Sequence, residues 1–184
     1  MKKKGKIILH VLLIIVVCFL FYYPVSAKIR IYQPSTIKRY VQINERRTKL
    51  IKTGLTLVGK TKYQSKAGSN KVSHLGKNPK YLCCSSFVSW CFYRSGNARI
   101  DYSTWNFCHS KKFKQISRKN LKIGDIGLIQ NKRKYGNHVA LYIGKNKKGQ
   151  EVWLHCTGNS GRNGVVISTD DRLKVFYRYR GFVI

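Results

Sequence analysis

Residues 126–168 read IGLIQNKRKYGNHVALYIGKNKKGQEVWLHCTGNSGRNGVVIS. Four short apolar stretches, 126–130, 138–143, 152–156 and 164–168, stand between clusters of Gly, Asn and Lys, which is the spacing of strands joined by turns. Residues 177–183 add a fifth strand candidate. Working upstream, the period changes. Phe87, Val88, Cys91 and Phe92 form one apolar stripe over 84–95, closed by Gly96, and predict a helix. Val41, Ile43, Leu50, Ile51, Leu55 and Val58 fall mainly at helical spacings over 40–58, with Gly59 as a C-cap candidate. Residues 60–80, rich in Lys, Gly, Asn and Ser, read as a loop. Helices first and strands after predict an α+β domain over 41–184, its N-terminal helices packed on a five- to six-stranded antiparallel sheet.

The chain has 184 residues, with 37 Lys and Arg against six acids, a formal charge of +31. Glu45, Asp101, Asp125, Glu151, Asp170 and Asp171 are too few and too scattered for a calcium loop, a two-metal carboxylate site or a paired-carboxylate glycosidase. An apolar fraction of 43% sets the chain apart from a disordered basic tail.

Four lysines among the first six residues precede an apolar run over 7–23, broken only by His10, and then Pro24-Val25-Ser26-Ala27. This is the pattern of an export signal with a cleavage site after Ala27, and the run is also close to the length of a membrane-spanning helix. Residues 1–27 are therefore expected to be a signal peptide or a membrane anchor, with the basic flank cytoplasmic and the rest extracytoplasmic. Residues 28–40 follow as a basic tether, with Pro34 and Ser35 arguing against regular structure. Without the first 27 residues, 33 cationic residues face six acids, a charge of +27. An anionic partner is expected. For an exported chain that means anionic wall polymers or lipid head groups rather than nucleic acid.

Five cysteines remain: Cys83, Cys84, Cys91, Cys108 and Cys156. An odd number leaves at least one thiol outside any disulfide. Neither they nor the histidines have the spacing of a closed zinc site, so no metal is expected. Cys84 stands where a loop turns into a helix, so first-turn amides and the helix dipole favour a thiolate there and are available to an oxyanion. A cysteine nucleophile needs a base. His138 opens one strand and His155 lies in the next, and a hairpin across 144–151 brings the two rings together, with His155 orienting His138 through its Nδ1. Cys91, Cys108 and Cys156 read as small buried apolar residues, His74 and His109 as loop histidines, and Asp125 as a turn cap.

The segment Cys83-Cys84-Ser85-Ser86-Phe87-Val88 resembles the Asp-Cys-Ser-Gly-Phe-Val motif of the NlpC/p60 cell-wall cysteine peptidases, a permuted relative of the papain fold. Leu121-Lys122-Ile123-Gly124-Asp125-Ile126 is similar to that family's Leu-x-Pro-Gly-Asp-Leu, and the segment 136–144 to its Gly-His-Val-Gly-Ile-Tyr-Ile-Gly strand. Leu154-His155-Cys156 and Val58-Gly59-Lys60-Thr61-Lys62-Tyr63 match two further pieces in the right order. The resemblance covers roughly residues 50–184. It implies Cys84 as nucleophile, His138 as general base and His155 as the orienting residue, with Tyr63, Cys83 and Ser85 as substrate-binding candidates. The implied activity is hydrolysis of amide bonds in peptidoglycan stem peptides through an acyl-enzyme, with no cofactor. Cys83 departs from the motif, because a thiol cannot supply the salt bridge that the usual Asp offers a free amine. Ser86 stands in place of the usual Gly. Two alternatives on the same fold are a non-catalytic cationic protein binding wall or membrane, and an acyltransferase acting on lipids or amides.

Overall fold

The computed structural model describes residues 34–184 apart from 69–71, 73–74, 102, 131–135, 159–162 and 184. Residues 37–184 form one compact unit. The expected signal or anchor and residues 28–33 of the tether lie outside the described residues. Among the described residues no helix is long and apolar enough to cross a membrane.

Helix α1 spans Pro34–Leu55 and so starts six residues before the periodicity predicts, within the segment read as a tether. Pro34 is its first residue, a position where a missing N–H costs nothing because first-turn amides have no intrahelical partner. Ile43, Arg47, Leu50, Ile51 and Gly54 are buried along it, as is Leu57 in the turn beyond. Strands β1 (Lys62–Tyr63), inside the segment read as a loop, and β2 (Tyr81–Leu82), just after it, form a small parallel pair, with Tyr63 opposite Leu82. Helix α2 (Cys84–Arg94) follows directly and is buried from Cys84 to Phe92. It closes at Ser95 as predicted, with Gly96 at φ +72°.

Helix α3 (Thr104–His109) and strand β3 (Phe113–Ile116) are too short and polar to stand out by periodicity. The strands β4 (Ile126–Gln130), β5 (Gly136–Lys145), β6 (Glu151–Thr157) and β7 (Gly164–Ser168) are those read from the sequence, within two residues at each end. The last strand, β8, is Leu173–Tyr179, four residues earlier than predicted, because Arg180–Phe182 turn into a single 3-10 helix. The six strands make one antiparallel sheet in the order β3-β8-β4-β5-β6-β7. The α+β architecture with a six-stranded sheet is the one expected.

Alternation along the central strands sorts the core into two layers. Val139, Leu141, Leu154, Cys156 and Val165 join the residues of α1 and α2 in the main cluster. Ala140, Tyr142, Trp153, Leu173 and Phe176 form a second cluster. Beneath α1, Asp125 is fully buried and accepts from Arg47 at 3.1 Å, from Arg178 at 2.7 and 2.9 Å and from the backbone N–H of Lys122 at 2.8 Å. It caps the turn into β4, as the sequence suggests, and is also the anion of a buried three-residue ion cluster. Beside β7, the backbone of residues 59–61 runs alongside Val165, with Val165 N–H donating to Thr61 O at 3.0 Å. Gly164, at φ +137°, allows that approach: a Cβ there would stand 2.2 Å from Thr61 O.

Candidate active site

Cys84 is the first residue of α2, and Cys83 is its N-cap. Cys83 and Ser86 close a reciprocal capping box, in which Ser86 Oγ accepts from Cys83 N–H at 2.9 Å. Cys83 Sγ lies 3.4 Å from Ser85 Oγ and 3.3 Å from Ser86 Oγ. Ser86 Oγ also donates to Ala67 O at 2.6 Å, tying the preceding loop to the helix start. The two departures from the family motif are thus one local unit, in which the residues at 83 and 86 satisfy each other. Among the described residues no cysteine is in a disulfide.

The backbone N–H groups of Val139, the residue after His138, of Ser85 and of Cys84 itself act on the Cys84 thiol. These donors favour the thiolate. Burial opposes them more strongly, with the side chain of Cys83 adding to it, and the Cys84 thiol is pushed up to about 11. The helix start therefore does not yield a thiolate at rest, contrary to the expectation from its position, because Cys84 is only 8% exposed.

The β5–β6 hairpin forms as expected, with Leu141 opposite Leu154 and an irregularity between Tyr142 and Gly144. It brings Nε2 of His138 to 2.7 Å from Nδ1 of His155, ring centroids 5.0 Å apart. The expected contact ran through Nδ1 of His138. It runs through Nε2 instead. Nε2 of His155 lies 2.8 Å from Ser168 Oγ on β7. Burial pushes His138 down to about 4, against the pull of Asp170 and helped by Arg172. At neutral pH the imidazole is uncharged.

Asp170 and Arg172 are the site residues that sequence reading missed. Burial opposes ionisation of Asp170, but the Arg172 side chain, through Nε at 2.8 Å and Nη2 at 2.7 Å, and its backbone N–H outweigh it and hold the carboxyl below its usual range. The x-D-D-R pattern before β8 is a turn signature, and only the fold brings it to His138. His138, His155 and Asp170 each offer a ligand atom, all within 4.8 Å of one another. The Arg172 guanidinium, bound to Asp170 through both carboxylate oxygens, places a positive charge beside them that opposes a cation.

A cavity of about 230 Å³ opens here, lined by Tyr63, Asn137, His138, Thr157, Gly158 and Arg172 among others. Tyr63 connects it to the helix start. Burial raises its hydroxyl, followed by the nearby thiols of Cys84 and Cys83. Of the sequence candidates, Tyr63 and His138 line this cavity. Cys83 and Ser85, each 6% exposed, are packed at the helix cap. Cys91 and Cys156 are buried among apolar side chains. Trp90 and Trp153 are core residues, whereas Trp105 is 47% exposed and stacks on His109 at the end of α3. His74 lies outside the described residues.

A cysteine at a helix start and a strand that carries a paired histidine thus meet on an α+β fold with a six-stranded antiparallel sheet. The chain belongs to the NlpC/P60 family, whose model matches residues 69–162. Among solved structures it is similar to the peptidoglycan hydrolase RipB from Mycobacterium tuberculosis, with 16% identity, a TM-score of 0.54 and coverage of 83% of this chain and 74% of that one. At that identity the likeness is one of fold. No curated protein matches the chain.

Proposed function

We propose that this protein is a peptidoglycan hydrolase that cleaves amide bonds in stem peptides, with Cys84 as nucleophile, His138 as general base and acid, and His155 as the residue that orients it. The 2.7 Å contact between the two imidazoles carries the reading, because it gives His138 a fixed ring and leaves one nitrogen available. Family membership and the fold shared with a peptidoglycan hydrolase support it.

Both groups start uncharged. His138 Nδ1 takes the thiol proton as Cys84 Sγ attacks the amide carbonyl, and the resulting ion pair is stabilised by its own attraction. The N–H groups at the start of α2 receive the oxyanion. His138 then gives its proton to the leaving amine, and the acyl-enzyme forms. Water, losing a proton to the same nitrogen, releases the acid and restores the thiol. Tyr63 and the cavity beside it hold the peptide. The high positive charge concentrates the protein at anionic wall polymers, an effect that weakens with salt. This activity is extracytoplasmic, with residues 1–27 acting as the export signal or the anchor.

Digesting purified peptidoglycan and identifying the new termini tests the reading. The native chain should release stem-peptide fragments, and Cys84→Ala should release none; equal release by both removes the nucleophile assignment. A second reading, a non-catalytic wall-binding protein, is favoured by the burial that holds Cys84 as a thiol. It predicts retention on peptidoglycan with no new termini from the native chain.

A further inference from the structure

We propose that Ser168 is a positioning residue for the histidine pair, holding His155 in the single tautomer that lets His138 act as a base. The inference rests on the catalytic reading above. The proton inventory leads to it. If Nδ1 of His138 is to accept a proton, the ring's own proton must sit on Nε2. That N–H points at Nδ1 of His155, 2.7 Å away, so Nδ1 of His155 must be an acceptor. A neutral His155 then carries its proton on Nε2, and the group facing that nitrogen is Ser168 Oγ at 2.8 Å. The same pattern serves when His138 is an imidazolium, because both of its nitrogens are then donors. One orientation of the chain from His138 through His155 to Ser168 therefore covers every step of the cycle.

The strand register builds this relay. His155 pairs with Val166 and Trp153 with Ser168 across β6 and β7, so Ser168 lies diagonally from His155, two residues beyond its direct partner. His155 is 3% exposed, and bulk water is a poor substitute for that hydroxyl. The carboxylate of the neighbouring Asp170 is engaged through both oxygens by Arg172. A neutral hydroxyl also suits the task better than a carboxylate. An acid at 168 would draw His155 towards the imidazolium, whose Nδ1–H would confront the Nε2–H of His138.

Side-chain nitrogen NMR of the full chain, carrying labelled histidine, tests this by reading the tautomer of His155 directly. The native protein should show the proton on Nε2. Ser168→Ala should shift the population towards Nδ1–H and lower kcat on wall fragments on the order of tenfold or more with KM little changed. Ser168→Thr, which keeps the hydroxyl, should retain both the tautomer and the rate. Ser168→Cys, nearly isosteric with a weak acceptor, provides the same test should the alanine variant not fold. A native His155 protonated on Nδ1, or an unchanged tautomer in both Ser168→Ala and Ser168→Cys, overturns the proposal. The tautomer readout does not depend on Cys84, so a failed nucleophile assignment and a failed positioning role give different results.

Discussion

The ring of Tyr63 lies against Gly158, so closely that a Cβ on Gly158 would stand 2.6 Å from Tyr63 Cδ1. Both residues line the cavity beside His138, and Tyr63 is anchored by pairing with Leu82, two residues before Cys84. Gly158→Ala must therefore push the ring off its seat. We expect a rise in KM for stem-peptide fragments of severalfold or more, with little loss of thermal stability because Gly158 is exposed. Steady-state kinetics beside a melting curve checks this; an unchanged KM would mean that Tyr63 does not bound the substrate site.

Much of this site is legible in the sequence, and the part that is not has definite physical causes. The period-two runs give β4 and β7 their ends, and the turn over 144–151 gives the His138–His155 meeting, because hairpin pairing is local. The lower part of the site is non-local. Asp170 and Arg172 reach His138 only through the order of the sheet, which no periodicity encodes. Arg47 sits in the buried stripe of α1, where a charge breaks the apolar pattern, and its partners, Asp125 78 residues away and the carbonyls of Ile123 and Phe182, are all distant in sequence. The nitrogen through which His138 meets His155 differs from the expected one for a similar reason, since ring orientation follows from packing and not from strand spacing.

The buried ion cluster yields a stability prediction. Asp125→Ala leaves Arg47, 5% exposed, and Arg178 without their shared anion, and breaking a buried pair by removing one partner costs about 3–5 kcal/mol. Urea unfolding should show that loss. Exchange of Asp125 for Asn should cost less, since the amide oxygen still accepts from one guanidinium. A loss below 1 kcal/mol in Asp125→Ala would show that the cluster is replaced readily by water.

His138 makes stability depend on pH. Its folded value of about 4 lies below the 6.5 of a free imidazole, so between these values the unfolded chain binds more protons than the folded one. The stabilisation from keeping it neutral is complete above about pH 6.5 and is lost as pH falls towards 4, up to roughly 3 kcal/mol at the ordinary 1.36 kcal/mol per pKa unit. Urea midpoints of the native chain should fall from pH 7.5 to pH 4.5 more steeply than those of His138→Gln. Parallel pH profiles for the two proteins would contradict the burial of this ring.

The same balance fixes how Cys84 reacts with a small alkylating agent. An enzyme that rests as a thiolate–imidazolium pair is alkylated rapidly in weak acid, with a plateau above the low pKa of its thiol. Here burial holds the thiol up to about 11 and the imidazole down to about 4, so the resting pair is neutral. The alkylation rate at Cys84, followed by peptide mass analysis, should rise about tenfold per pH unit from pH 6 to pH 10 with no acidic shoulder. Binding of a stem peptide that displaces water without sealing off His138 should not create such a shoulder either, because the proton moves only as the carbonyl is attacked. A plateau below pH 7 would establish a preformed ion pair and shift the first proton transfer to before substrate arrival.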